Sequence, residues 1–335
     1  MIIAVLAALS VSACSKPAPS WQRVAGVPAA DLRAVADCGG RWWVAGGRRT
    51  ADGGTSPAAW SSADGSAWGE VVFEPLPSSY YGPRQVITSI ACDGDRVAML
   101  GAVPGGAHGN PRVSTWRLEG GVLRENQAPF ETYGGDRAVD VSRMAAGPSG
   151  FAIAGNRSSG AAAWLSSDGR VFTLVEGAPG LAGPTIARDA VALPGGRWAL
   201  VGGVTVPNSA DERAAAWVSA DGRSWTRSDP PAATGFNEMQ RAVRDGDDVL
   251  AAGARGTSFG LWRWHDGVWT AGKTFGGDPG GVRSLTVVGG KPVVAGGGLW
   301  IDGDAVATPG PPAAVAGRGE VLFLVTGDGL WRTDL

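Results

Sequence analysis

The sequence predicts an all-β fold, a single seven-bladed β-propeller of four-stranded antiparallel blades. A nine-residue motif recurs, as WSSADGSAW at 60–68, WLSSDGRVF at 164–172 and WVSADGRSW at 217–225. A second signature comes seven times: an apolar run, a Gly-rich or polar turn, and an apolar run usually ending in Gly, followed by a run that carries Trp. The 54 Gly and 22 Pro fall at regular intervals, as they do in many short strands joined by turns.

Each nine-residue motif reads as a β-hairpin. Two short apolar arms flank an Asp-Gly turn, where Gly supplies the positive φ of a tight turn and Ser and Asp side chains bond turn N–H groups. The second signature spans 34–46, 88–101, 141–155, 190–202, 242–253, 284–296 and 313–327, followed by Trp60, Trp116, Trp164, Trp217, Trp262, Trp300 and Trp331. A unit is therefore strand a, turn, strand b, loop, strand c, Asp-Gly-like turn, strand d, and a period of roughly 40 to 50 residues is that of a propeller blade. Units two, five and six keep only fragments of the hairpin, at 119–121, 265–269 and 302–303. Unit six is squeezed into 281–307, so a six-bladed ring stands as the alternative. Unit seven stops after strand c. Its strand d is expected from the other end of the chain, where Ser20-Trp21-Gln22-Arg23 matches Ser224-Trp225-Thr226-Arg227 and closes the ring.

The three full hairpins resemble the Asp-box of the BNR-repeat propellers, with Asp and Gly adjacent where the usual box has a residue between them. That superfamily includes sialidases and many non-enzymatic exported proteins. The resemblance implies a propeller fold and implies that Asp64, Asp168 and Asp221 shape turns and are not catalytic. The tryptophans recur at fixed places in strands c and d, which marks them as packing between blades.

Residues 1–13 read as a signal peptide. The apolar run 1–9 is too short to span a bilayer, and Val11-Ser12-Ala13-Cys14 resembles the lipobox of bacterial lipoproteins. The resemblance implies lipidation of Cys14, a tether over 14–19 and a propeller over 20–335, held at the outer face of the bacterial cytoplasmic membrane. An ordinary secretory signal is the alternative, and the first residues carry no Lys or Arg. Cys38 and Cys92 then remain, at matched positions before turns of consecutive units. In an exported protein they are either a disulfide or two separate buried thiols.

A net charge of −2 and a pI near 5.8 give no field for nucleic acid. With two His the chain has no multi-His metal centre, and neither metal nor cofactor is expected. Residues 267–274, GVWTAGKT, spell a phosphate loop. That motif works only between a strand and a helix, and here it falls on strand d of unit five with no helical pattern after it.

Strand direction puts the a–b and c–d turns on one face and the variable b–c and d–a loops on the other, where binding is expected. Arg33, Arg143, Arg188, Arg241 and Arg283 lie near the start of strand a in five units, and Arg112 and Arg157 lie in b–c loops. Guanidinium groups round a central mouth suit a carboxylate, sulfate or phosphate. Pairing with local acids such as Asp31, Asp140, Asp189, Asp211 or Glu212 is the structural alternative. Tyr80, Tyr81, Tyr133 and His108 are candidate loop contacts.

A sialidase-like hydrolase needs an arginine cluster, a Tyr nucleophile with a Glu, and an acid/base Asp. Glu131, Asp136, Glu238 and Asp278 are available, but the chain has no Arg-Ile-Pro signature and those enzymes have six blades, so no catalytic residue is assigned. The reading is a monomeric, non-catalytic binding or scaffold module for a cell-envelope protein or polymer. A sialidase-like glycosidase acting on acidic sugars is the alternative.

Overall fold

The computed structural model describes residues 19–28, 30–105, 110–278, 280–327 and 329–335. The described residues form seven sheets, numbered here as blades in chain order. Each inner strand packs on that of the next blade, and the inner strand of blade 7 packs on that of blade 1, which closes the ring. Blade 1 runs outward through Asp31–Asp37, Trp42–Arg49, Thr55–Ser62 and Gly69–Val71. Blade 6, thin in sequence, is a complete sheet from Ser284–Val288 to Asp304–Val306, so the ring has seven blades and not six.

Blade 7 is completed from the N-terminal side. Gln22 pairs with Arg332 and Arg23 with Trp331, antiparallel, on the outside of Gly329–Asp334. Val24 N donates to Leu330 O at 2.9 Å and Trp21 Nε1 to Ala307 O at 2.9 Å. The seam behind it is apolar: Val27, Leu32, Trp42 and Trp60 pack with Ala314, Phe323 and Leu330.

Blade 2 differs from the expected four strands. After Gly69–Val71 the chain crosses to its outer edge, where Phe73–Glu74 runs parallel to Val122–Glu125 as a fifth strand. Leu123 N donates to Val72 O at 2.8 Å, and the Phe73 ring meets Trp116 edge-on at 5.0 Å. Blades 1 and 2 are also joined by a disulfide between Cys38 and Cys92, with Cα atoms 5.5 Å apart.

The glycine that ends strand b has a steric cause. A Cβ on Gly46, Gly155, Gly202 or Gly253 would lie 2.0, 2.4, 1.8 or 1.9 Å from a carbonyl oxygen of the adjoining inner strand. Backbone passes too close there for any side chain. The recurrent strand-c tryptophans Trp60, Trp116, Trp164, Trp217 and Trp262 are among the largest fully buried side chains. Trp217 and Trp262 donate Nε1 to Gly180 O and Pro231 O at 2.7 and 2.8 Å, fastening the loop that enters their blade.

The Asp-Gly hairpins are self-contained. Asp221 Oδ1 accepts from Arg223 N and Ser224 N at 2.8 Å each, Ser219 Oγ accepts from Gly222 N at 2.8 Å, and Trp225 Nε1 donates to Gly222 O at 3.2 Å. Asp64 repeats this with Ser66 N and Ala67 N at 2.8 and 3.0 Å. These backbone donors hold both carboxyls down at about 2. The phosphate-loop spelling begins on the positive-φ turn of Asp266 and Gly267 and runs on into the strand Val268–Phe275, with no helix after it among the described residues.

Candidate functional site

Six inner strands carry a one-residue bulge near the loop face, at Arg33, Thr88, Ser142, Arg188, Gln240 and Ala313, while blade 6 pairs without a shift. A bulge re-aims the residues around it. The inner-strand arginines therefore fall into two groups. Arg33 and Arg188 sit on the bulge, and Arg143 and Arg241 sit one position beyond it.

Most of these arginines are already engaged. Arg33 pairs with Asp31 at 2.7 Å and Arg188 with Glu238 at 2.5 Å. Arg157 is buried, pairs with Glu176 at 3.2 Å and donates to Gly134 O at 2.8 Å. Arg143, from blade 3, donates Nη2 to Arg283 O of blade 6 at 2.8 Å, and Arg241 Nε donates to the same oxygen at 2.7 Å. Arg143 thus reaches across the centre of the ring. Surrounding protein lowers the pKa of both, and the charge of Arg143 adds to the effect at Arg241, which falls to about 9 and stays charged at neutral pH. Asp189 stands close by, its carboxylate accepting from Ala190 N and Ala242 N at 2.9 and 3.0 Å. Burial raises its pKa. The expected ring of free guanidinium groups is therefore largely a set of inter-blade ties. Arg112 and Arg283 alone of the seven candidates have neither an ion pair nor a side-chain hydrogen bond among the described residues.

A carboxyl pair adjoins this region. Glu212 of blade 4 lies against Glu238 of blade 5, whose oxygens accept from Arg188 Nε and from Gln240 Nε2 at 2.9 Å. Burial first, and the neighbouring carboxylate second, push Glu212 up to about 7. Its buried Oε2 has no hydrogen-bond partner among the described residues.

Arg112 stands in a concavity of the loop face. It begins the strand Arg112–Glu119 of blade 2, and its guanidinium lies over the Phe130 ring at 4.7 Å and the Tyr81 ring at 5.7 Å. Its shielded Nε has no acceptor. Cavities of 450 and 490 Å³ share Pro111, Arg112, Phe130, Tyr133 and Gly134 as a common wall. The first also reaches Glu125, Gln127 and Tyr81. Glu125 is buried and fully occupied, accepting from Leu76 N at 3.0 Å and from Ser79 and Ser114 Oγ at 2.8 Å each. It fixes the 76–79 loop that forms one lip. On the rim Tyr80 is 66% and Phe130 57% exposed, and Arg84 stacks on Tyr80 at 4.2 Å.

The candidate tyrosines part company here. Tyr80 and Tyr81 meet edge-on at 5.0 Å at the lip, with Tyr81 Oη donating to Gly105 O. Tyr133, expected as a loop contact, ends the short helix Phe130–Tyr133 and is buried instead, its Oη 3.3 Å from Thr115 Oγ1. Burial raises its phenol. Among the described residues no tyrosine hydroxyl is bonded to a carboxylate. Cys14 and His108 lie outside the described residues. Sequence reading missed Glu125 and Arg84, and it named Glu212 and Glu238 without bringing them together. A lone acid closing strand d was the available signal for Glu125.

The architecture is that of a β-propeller. No family profile and no curated protein sequence matches the chain. Among solved structures it resembles virginiamycin B lyase from Staphylococcus aureus, with a TM-score of 0.61 and 12% identity over 95% of this chain and 99% of that one. It resembles YCF48 bound to a D1 peptide, with a TM-score of 0.58 and 12% identity over 98% and 99% of the two chains. Trypanosoma rangeli sialidase follows with a TM-score of 0.51 and 12% identity, covering 95% of this chain and 59% of that one. At such identities the likeness is one of fold.

Proposed function

We propose that the chain is an exported, non-catalytic binding module, lipid-anchored through Cys14 at the outer face of the cytoplasmic membrane. It holds a cell-envelope protein or polymer in the cleft between blades 2 and 3. The observation that carries this reading is Arg112, a guanidinium without a carboxylate partner, walled by Phe130 and flanked by Tyr81. A guanidinium stacked on an aromatic ring with free donors receives a carboxylate while the ring covers an apolar neighbour. Two adjoining cavities of 450 and 490 Å³ suit a segment of a longer ligand. The hydrolase alternative has less to stand on, since no phenol is paired with an acid among the described residues.

The test is calorimetric titration with poly-glutamate, polygalacturonate and peptidoglycan fragments at low salt. Binding of at least one is expected, weakened about tenfold or more by Arg112→Ala and by Phe130→Ala, with melting temperature held because both side chains sit at the rim. No binding across the panel, or binding indifferent to both changes, overturns the reading.

A further inference from the structure

The outer strand of blade 5, Val268–Phe275, is 8 residues long. The other outer strands hold 3, 2, 3, 3, 3 and 2 residues. It is the edge of its sheet, and no backbone hydrogen bond from outside that sheet reaches it among the described residues. Asp266 and Gly267, at φ 46 and 88, form a two-residue turn. His265 and Val268 are then the hydrogen-bonded pair that flanks it, and pairing alternates along the ladder as far as Ala271, beyond which the register shifts opposite Leu261 and Gly272 O accepts from Arg255 Nη1 at 3.1 Å. The N–H and C=O groups of Trp269 and Ala271 therefore point outward, and residues 270–274 are exposed.

A row of unpaired backbone donors and acceptors is a template for another strand. This chain already uses the device once, where Phe73–Glu74 adds to the outer edge of blade 2. We propose that the blade-5 edge accepts an extended segment of another polypeptide as a fifth strand. Only a backbone in the β conformation repeats N–H and C=O at the matching spacing, so a glycan or a small anion does not fit the edge.

The test pans phage-displayed random twelve-residue peptides against the protein and measures enriched peptides on Ala271→Pro and Arg112→Ala. Proline removes an outward N–H and spares the internal ladder. Enriched peptides are expected to bind roughly tenfold more weakly to Ala271→Pro, to bind Arg112→Ala unchanged, and to protect the Trp269 and Ala271 amides from hydrogen exchange. Absence of enrichment, or binding indifferent to Ala271→Pro without amide protection, overturns the proposal. So does a concentration-dependent dimer that this substitution abolishes. Should Ala271→Pro fail to fold, amide protection in the unmodified protein decides. Loss on Arg112→Ala instead would place the peptides in the blade 2–3 cleft.

Discussion

Removing residues 19–24 takes away the strand that closes the ring, and its cost follows from what that strand touches. The two-residue ladder with Arg332 and Trp331 is lost, together with the bonds from Val24 N to Leu330 O and from Trp21 Nε1 to Ala307 O. At about 1 kcal/mol net for each hydrogen bond these contribute about 3 to 4 kcal/mol. Leu330, 1% exposed, loses part of its cover, as does the cluster that holds Trp21 and Trp331, for about 2 kcal/mol more. A total of about 5 to 6 kcal/mol is of the order of the whole stability of a domain. Urea unfolding followed by tryptophan fluorescence is the assay, with a protein starting at residue 19 as the reference. A much lower midpoint or loss of the single transition is expected. Equal midpoints and slopes for the two proteins would refute the closure argument.

Reducing the Cys38–Cys92 bond frees a separation of 54 residues and, on the loop-entropy estimate, costs about 4 kcal/mol. Unfolding with and without reductant checks it, and coincident midpoints count against it. Asp64 and Asp221 sit at about 2 in the fold, below the unfolded carboxylate value. Their contribution is thus complete above pH ~4 and is lost as pH falls through 2; Asp221→Asn should flatten that acid limb in a series of melting temperatures. Glu212 has the opposite sign. Held at about 7, it stabilises fully below pH ~4 and loses that contribution as pH rises through 7, so Glu212→Gln should remove the slope between pH 5 and 8.

The Asp-Gly hairpins were legible because every bond they need lies within one turn, as at Ser219, Asp221 and Gly222. The seven-blade count and the closing strand followed from the same ruler, with Ser20 to Arg23 read against Ser224 to Arg227. The arginines were harder. Their spacing put five at one level of the ring, but bulges at Arg33, Ser142, Arg188 and Gln240 decide which side chain turns which way, and spacing does not count bulges. Arg143 finds its partner 140 residues away, at Arg283 O. Tyr133 looked like a loop residue because a four-residue helix has too little pattern to announce itself. The parallel strand Phe73–Glu74 belongs by sequence to the loop leaving blade 1 and by hydrogen bonding to blade 2.

The closing strand carries one more consequence, a mechanical one. Gln22–Arg23 is at once the last strand of blade 7 and the point where the upstream chain enters the ring. Tension applied through that upstream chain falls first on a two-residue ladder and the Trp21 indole bond. The neighbouring joint between blades 1 and 2, with its disulfide and shared fifth strand, is spared. The ring should therefore give way at the seam between blades 7 and 1, opening as a bracelet does at its clasp.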